Sequence, residues 1–244
     1  MDLHHRVVLV TGGAVRIGRT IALTLARRGA DVVISYRSSS AEANATLDAL
    51  KRIGSRSLAV KADLTRETDI KRMFATIGRA YGRLDVLVNS AAVFPRTPFE
   101  RLTAKDWDDT FAANLRGPFL CALYASRLMR RRRVGKIINL ADWAGVRPYK
   151  HYLPYCVSKA GILGLTKALA KELAPHIQVA AIAPGPILPP QDMSRATRAR
   201  IAKRVPLARW GSPQDIANTV AFLIEGTDFI TGSTIFVDGG QLIA

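Results

Sequence analysis

A chain of 244 residues, 48% of them apolar, is long enough to bury a full core and fits one α/β domain over residues 1–244 without disulfide staples or a structural metal. Its charge is lopsided: 36 Lys and Arg against 19 Asp and Glu give a formal +17 at pH 7, which favours anionic partners such as phosphorylated cofactors, carboxylated substrates or nucleic acid. No apolar run approaches the roughly 18 residues that suggest a membrane span, and the opening MDLHHRVVLVTGG enters a strand with no secretory leader, so a soluble cytoplasmic protein is expected. In chain order, short β-branched runs alternate with amphipathic stretches. RVVLV, DVVIS, SLAV, LDVLVNS, KIINLA, IQVAAIA and STIFVDGG predict seven strands by their Val/Ile content and lack of helical period. Helical patterns near residues 17–28, 40–53, 66–80, 106–130, 153–173 and 213–224 lie between them. Such alternation predicts a doubly wound parallel sheet with helices on both faces and ligands bound beyond the carboxyl ends of the strands.

The first strand runs into TGGAVRIG, residues 11–18, with glycines at 12, 13 and 18 between strand and helix. A tight turn there lets backbone approach a pyrophosphate, which the helix N-terminus attracts. The second strand ends in SYRSSS. Dinucleotide sites for NAD place an acid there, whereas an arginine suits the 2′-phosphate of NADP. Arg37, with Ser38 and Ser39, offers a guanidinium and hydroxyls, so NADPH is expected over NADH.

Farther on, Cys121 and Cys156 have no CxxC or histidine cluster near them, and buried free thiols are expected, with no metal site. Arg130 to Arg133 follows an apolar helix, whose C-terminal dipole cations complement. The remaining basic residues, such as those in RATRARIAKR, are scattered through helical patterns as on a solvated face, and no nucleic-acid module is visible, so a nucleic-acid partner is not expected.

The stretch from Asp142 to Lys159 gathers a carboxylate, a phenol and an amine. Tyr155 and Lys159 are four apart and share a helical face, and an ammonium beside a phenol is expected to lower its pKa. Tyr149 and Tyr152 have no lysine four residues on. The apolar residues on more than one side of helices 106–130 and 153–173 call for partner helices.

Nearly end to end, the chain resembles the short-chain dehydrogenase/reductase family. TGGAVRIG, from Thr11 through Arg16, Ile17 and Gly18, is similar to its cofactor turn, and Asp63-Leu64 to its adenine contact. VNSAA, with Asn89, Ser90 and Ala91, resembles its NNAG segment, with Ser90 in place of the second asparagine. Tyr155 and Lys159 match its YxxxK pair, Pro184-Gly185 the turn after its sixth strand, and FITGSTIFVDGG its C-terminal signature. The resemblance implies that Tyr155 moves the proton, that Lys159 holds the nicotinamide ribose and tunes Tyr155, that Asn114 supports a water-filled proton path, and that the protein is a homotetramer.

One departure is chemical. Most of the family carries a serine thirteen residues before the tyrosine, where this chain has Asp142. An ionised carboxylate only accepts hydrogen bonds, so it repels a carbonyl oxygen, welcomes an N–H group and raises the pKa of Tyr155 against Lys159. Asp, Tyr and Lys in these places resemble the pteridine reductase subgroup. In that comparison Arg16 falls near pterin and cofactor phosphates, Phe94 where a phenylalanine stacks the pterin, and Tyr152 where a tyrosine lines the pocket, while a hydroxyl-bearing pocket residue is Ala92 here. The resemblance implies an NADPH-dependent reductase of pterins or folates. The alternatives are a carbonyl or 3-oxoacyl thioester reductase and a non-catalytic NADPH-binding protein, the latter disfavoured because Tyr155 and Lys159 are both present.

Overall fold

The computed structural model describes residues 1–189 and 193–244. Seven parallel strands form one sheet in the order β3-β2-β1-β4-β5-β6-β7. They are β1 Val7–Val10, β2 Asp31–Tyr36, β3 Leu58–Lys61, β4 Val86–Asn89, β5 Gly135–Leu140, β6 Ile177–Pro184 and β7 Thr234–Val237. All seven expected strands are present.

The central strands β1, β4 and β5 are buried along their whole length, as parallel strands covered on both faces must be. Successive residues of β1 face opposite layers: Val8 and Val10 pack with Ile21, Leu25, Ile216 and Val220, while Val7 and Leu9 pack with Ile70, Met73, Leu120 and Cys121. The first layer belongs to helices α1 Arg16–Ala26 and α8 Pro213–Glu225, the second to α3 Glu67–Tyr81 and α5 Gly117–Arg130. Helix α2 Ser40–Arg52 lies beside α1, and α6 Leu153–Leu173 packs against β6. The order of strands reverses between β1 and β4, which opens a crevice beyond their carboxyl ends.

Two elements depart from the sequence reading. The continuous helix expected over 106–130 is broken into α4 Ala104–Phe111, a π-helical turn Ala112–Arg116, and α5. The widened turn falls where Asn114 reaches across to the backbone of Val93, and Gly117 follows it where a side chain would press on the Leu64 carbonyl oxygen at 3.0 Å. The second is α7, Arg195–Lys203, capped by the Ser194 hydroxyl on the Thr197 amide. Its basic run lies in the helical pattern expected of a solvated face, and it stands apart from the six amphipathic helices because none of its residues is buried and it has no apolar stripe. No helix among the described residues is long and apolar enough to cross a membrane.

Candidate active site

The crevice between β1 and β4 is a cavity of about 350 Å³. Its floor is the glycine turn. Gly12 holds a left-handed φ of +64°, and a Cβ there would meet the Ala91 Cα at 3.0 Å, so the β1 and β4 loops touch only because the side chain is missing. Gly18 lies so close to the Gly12 carbonyl that a Cβ would collide with backbone, and a Cβ on Gly13 would press into Ile34. Arg16, φ 51, is a non-glycine residue in the left-handed region and exposes its side chain along the cavity wall. Helix α1 starts here with no side-chain cap and no acid in its first turn, which leaves its amino end to an anion.

Among the residues expected to hold a cofactor, Gly12, Arg16, Ile17, Gly18, Arg37, Ser38, Asp63, Leu64, Ser90 and Ala91 line this cavity, as does Ala92. Arg37 and Ser38 are exposed at the end of β2. Burial works against the Asp63 carboxylate, but hydrogen bonds from Thr65 and the charges of Arg37 and Arg66 hold its pKa below the usual range. Thr11, Gly13 and Asn89 do not line it. Thr11 is buried and accepts the Ser90 and Ala91 amides at 3.0 and 3.1 Å, so it shapes the wall from behind. Asn89 turns inward, donating to Asn139 at 2.9 Å and to the Pro118 carbonyl at 3.2 Å. Pro184 and Gly185 sit at the end of β6, away from the cavity wall, where Gly185 leaves room for the Asp238 backbone. The residues present therefore fit a phosphorylated dinucleotide: close backbone, an uncapped helix start, and an arginine with hydroxyls in place of an acid.

Beyond the crevice, β5 ends in Leu140 and the chain turns through Asp142 into a short 3₁₀ turn, Trp143–Gly145. Helix α6 brings Tyr155 and Lys159 alongside on one face, both buried. Tyr155 donates its hydroxyl to Asp142 Oδ2 at 2.7 Å, and Lys159 donates to the Leu140 carbonyl at 2.7 Å, with its Nζ 5.7 Å from the Tyr155 ring centre. Asp142 Oδ1 also accepts the Ala144 amide at 2.8 Å and faces the Tyr149 hydroxyl at 3.5 Å.

The electrostatics correct one expectation. Burial, followed by the charge of Asp142 and the hydrogen bond to it, pushes the Tyr155 phenol well above its ordinary pKa, so the raising expected of Asp142 prevails and the net lowering expected of Lys159 does not occur. Burial lowers Lys159 itself to about 8, against the opposing charge of Asp142. Burial raises Asp142 too, against its donors Tyr155 and Ala144, the charge of Lys159, and Tyr149. The site thus holds a proton-loaded phenol on a buried carboxylate.

Asn114, buried in the π-helical turn, accepts the Val93 amide at 2.8 Å and donates to the Val93 carbonyl at 2.9 Å and the Ser158 hydroxyl at 3.3 Å. Its contacts fix the loop that presents Phe94. That ring is 50% exposed, stacks on Tyr152 at 4.3 Å between centres and meets the edge of Tyr155 at 4.5 Å. It leaves aromatic surface beside the phenol on which a flat ring can lie. Sequence reasoning missed Tyr149 and Trp143, because spacing from lysine singled out Tyr155 alone. Both cysteines are buried free thiols, and no cluster of metal-ligating side chains occurs among the described residues.

Comparison with known proteins covers almost the whole chain. The family model described as enoyl-(acyl carrier protein) reductase, adh_short_C2, matches residues 13–241. The 3-oxoacyl-[acyl-carrier-protein] reductase FabG of Staphylococcus aureus is 40% identical over 239 residues, which covers 96% of each chain. Acetoin dehydrogenase from Enterobacter cloacae superposes with a TM-score of 0.90 at 34% identity, covering 100% of this chain and 97% of that one. A variant of actinorhodin polyketide ketoreductase, solved with NADPH, gives a TM-score of 0.92 at 31% identity over 98% of both chains.

Proposed function

The chain belongs to the short-chain dehydrogenase/reductase family, and on that premise we propose that it is an NADPH-dependent reductase whose substrate is a pterin or folate ring. NADPH in the β1/β4 crevice supplies the hydride. Arg37 and Ser38 take the 2′-phosphate, the open start of α1 takes the pyrophosphate, and Arg16 adds positive charge between cofactor and substrate.

The observation that carries the substrate class is Asp142. Its carboxylate accepts and cannot donate when ionised, so it matches a ring edge bearing amino and N–H groups and mismatches a carbonyl oxygen. Tyr155 has its proton held in place by Asp142 and delivers it to a ring nitrogen as the neighbouring carbon gains hydride, so that C=N becomes CH–NH. Phe94 and Tyr152 form an aromatic pair against which a flat ring packs. Lys159 holds its ammonium over the Tyr155 ring during proton loss, and Asn114 holds the Phe94 loop. Exposed apolar residues on α5 and α6, Phe119, Leu153 and Val157, support assembly as a homotetramer.

A second reading is favoured by the relatives' names: reduction of a 3-oxoacyl thioester, in which Tyr155 protonates the ketone oxygen. Whole-chain similarity speaks for it, and residue 142 speaks for the pterin. NADPH oxidation measured side by side with dihydrobiopterin, dihydrofolate and an acetoacetyl thioester separates the two. Turnover of a dihydropterin or dihydrofolate above the thioester is expected; brisk thioester reduction with every pterin and folate ignored replaces the first reading by the second.

A further inference from the structure

Asp142 is held by more than the residue it serves. Its Oδ2 faces Tyr155, while its Oδ1 sits between the Ala144 amide and the Tyr149 hydroxyl. Tyr149 has two polar neighbours at its hydroxyl, and they differ in kind. The indole Nε1 of Trp143 is a donor only, so the phenol oxygen accepts from it. The Tyr149 proton is then left to the other neighbour, the Asp142 carboxylate at 3.5 Å. Trp143 is buried and packs edge-on to Tyr149 at 5.4 Å, with the Arg147 guanidinium 6.0 Å from its ring centre. The Tyr149 amide in turn donates to Cys156 Sγ at 3.3 Å, which ties this loop to α6 one residue beyond Tyr155.

From this arrangement we infer that Tyr149, braced by Trp143, is a positioning residue that keeps Asp142 ionised and turned toward Tyr155. The inference rests on the reading that Asp142 works as an ionised acceptor. Before proton transfer the 3.5 Å contact is long, and Tyr155 is the principal side-chain donor to the carboxylate. When Tyr155 gives its proton to substrate, a phenolate stands beside the carboxylate, and Oδ2 loses its donor. Tyr149 is the phenol still carrying a proton and aimed at Asp142, and a small closing motion strengthens that bond when the local charge is greatest. The groups facing Asp142 are Tyr155, Cys156 and Lys159 from α6 and Tyr149 from the preceding loop; of these, Lys159 carries the only positive charge.

The consequence has a definite sign. A donor to the ionised form lowers an acid's pKa, so removing the Tyr149 hydroxyl raises that of Asp142 and moves the acid limb of the pH–rate profile upward. Tyr149→Phe is expected to lower kcat about tenfold, the loss of one hydrogen bond to a charge as it tightens, with KM little changed and the acid limb shifted up by less than about one pH unit, the resting contact being 3.5 Å. Trp143→Phe, which keeps an aromatic side chain and removes the N–H, moves both in the same direction by less, and serves if Tyr149→Phe does not fold. A structural role alone would produce the same loss whatever stands at 142, whereas the inference requires that Tyr149→Phe add almost nothing in an Asp142→Asn background.

A direct readout is the infrared carboxyl band of Asp142 in the unliganded protein, assigned by its absence in Asp142→Asn and titrated in wild type and Tyr149→Phe. An upward shift of that titration supports the inference. An unchanged titration, or an equal loss of kcat with and without the carboxylate, overturns it. Absence of dihydropterin turnover would strike the proposed substrate while leaving the infrared result to stand or fall by itself.

Discussion

Replacing Asp142 with Asn is expected to make the protein more stable at neutral pH while impairing its chemistry. The carboxylate accepts two short hydrogen bonds, from Tyr155 at 2.7 Å and from the Ala144 amide at 2.8 Å. Asparagine offers one oxygen, which accepts the Ala144 amide, while its NH2 faces the Tyr155 oxygen, which must then accept rather than donate; without charge assistance each bond falls from about 1.5–3 to about 0.5–1.5 kcal/mol, roughly 2 kcal/mol together. Against this stands the burial of an ion, which costs several kcal/mol even after relaxation, and burial is the first cause of the raised Asp142 pKa. Lys159 loses a counter-charge in the variant, but it titrates near 8 already and sheds its proton at small cost. The balance is a gain on the order of 1–2 kcal/mol at pH 7. Because the folded-state pKa of Asp142 is raised above its unfolded value, the stability contributed by its protonated form is complete below the unfolded pKa and is lost as pH rises through the folded one. The variant's advantage should therefore be absent in acid, appear as Asp142 ionises, and be largest above about pH 8, where Lys159 is neutral. Urea unfolding followed by tryptophan fluorescence over a pH series measures this, provided m is unchanged. A variant less stable than wild type at neutral pH, or an advantage that grows toward acid, would refute the assignment of Asp142 as a charge held at a cost.

Tyr155→Phe should lower kcat by about 10²–10⁴ with NADPH binding largely kept, since in the proposed reaction the hydroxyl moves the proton, and it does not line the β1/β4 crevice; a large loss of NADPH affinity by fluorescence titration would contradict this. Arg37→Asp should weaken NADPH binding about tenfold or more and shrink or reverse the preference over NADH, because it replaces the proposed charge-assisted bond to the 2′-phosphate by repulsion at the cavity wall. The wild-type preference should fade as salt rises, Arg37 being exposed, and equal affinity of the wild type for both nucleotides removes the argument. Light scattering at micromolar concentration should give a mass near four times 26.6 kDa, and a monomer would leave Phe119, Leu153 and Val157 unexplained as exposed apolar residues on α5 and α6.

What the sequence revealed and what it hid divide along physical lines. The inner strands were legible because parallel strands covered on both faces must be apolar throughout, and runs such as VLVN and VAAIA carry that demand in plain composition, while the part-exposed β3 and β7 were legible from short apolar runs such as LAV and TIFV. The glycine turn was legible because a left-handed φ and a near-contact between loops leave no room for another residue at position 12. The π-helical turn was hidden because its cause is distant in sequence. Asn114 widens the helix where it reaches Val93, 21 residues earlier, and no periodicity records a partner that far away.

The roles of the three tyrosines show the same limit more sharply. A lysine four residues on separated Tyr155 from Tyr149 and Tyr152, and the structure indeed places Tyr155 on Asp142. Yet the same rule predicted a phenol acidified by Lys159, and the site does the reverse. Burial and the adjacent carboxylate dominate, while Lys159 donates to the Leu140 carbonyl and is itself lowered by desolvation to about 8. Spacing tells which groups share a helical face; it does not tell how dry that face is or which charge lies closer. Here dryness decides the chemistry. A phenol driven up in pKa stays protonated at rest, so the surroundings of Asp142 keep Tyr155 loaded with the proton that a reduction requires, while making each transfer harder than from an ordinary phenol.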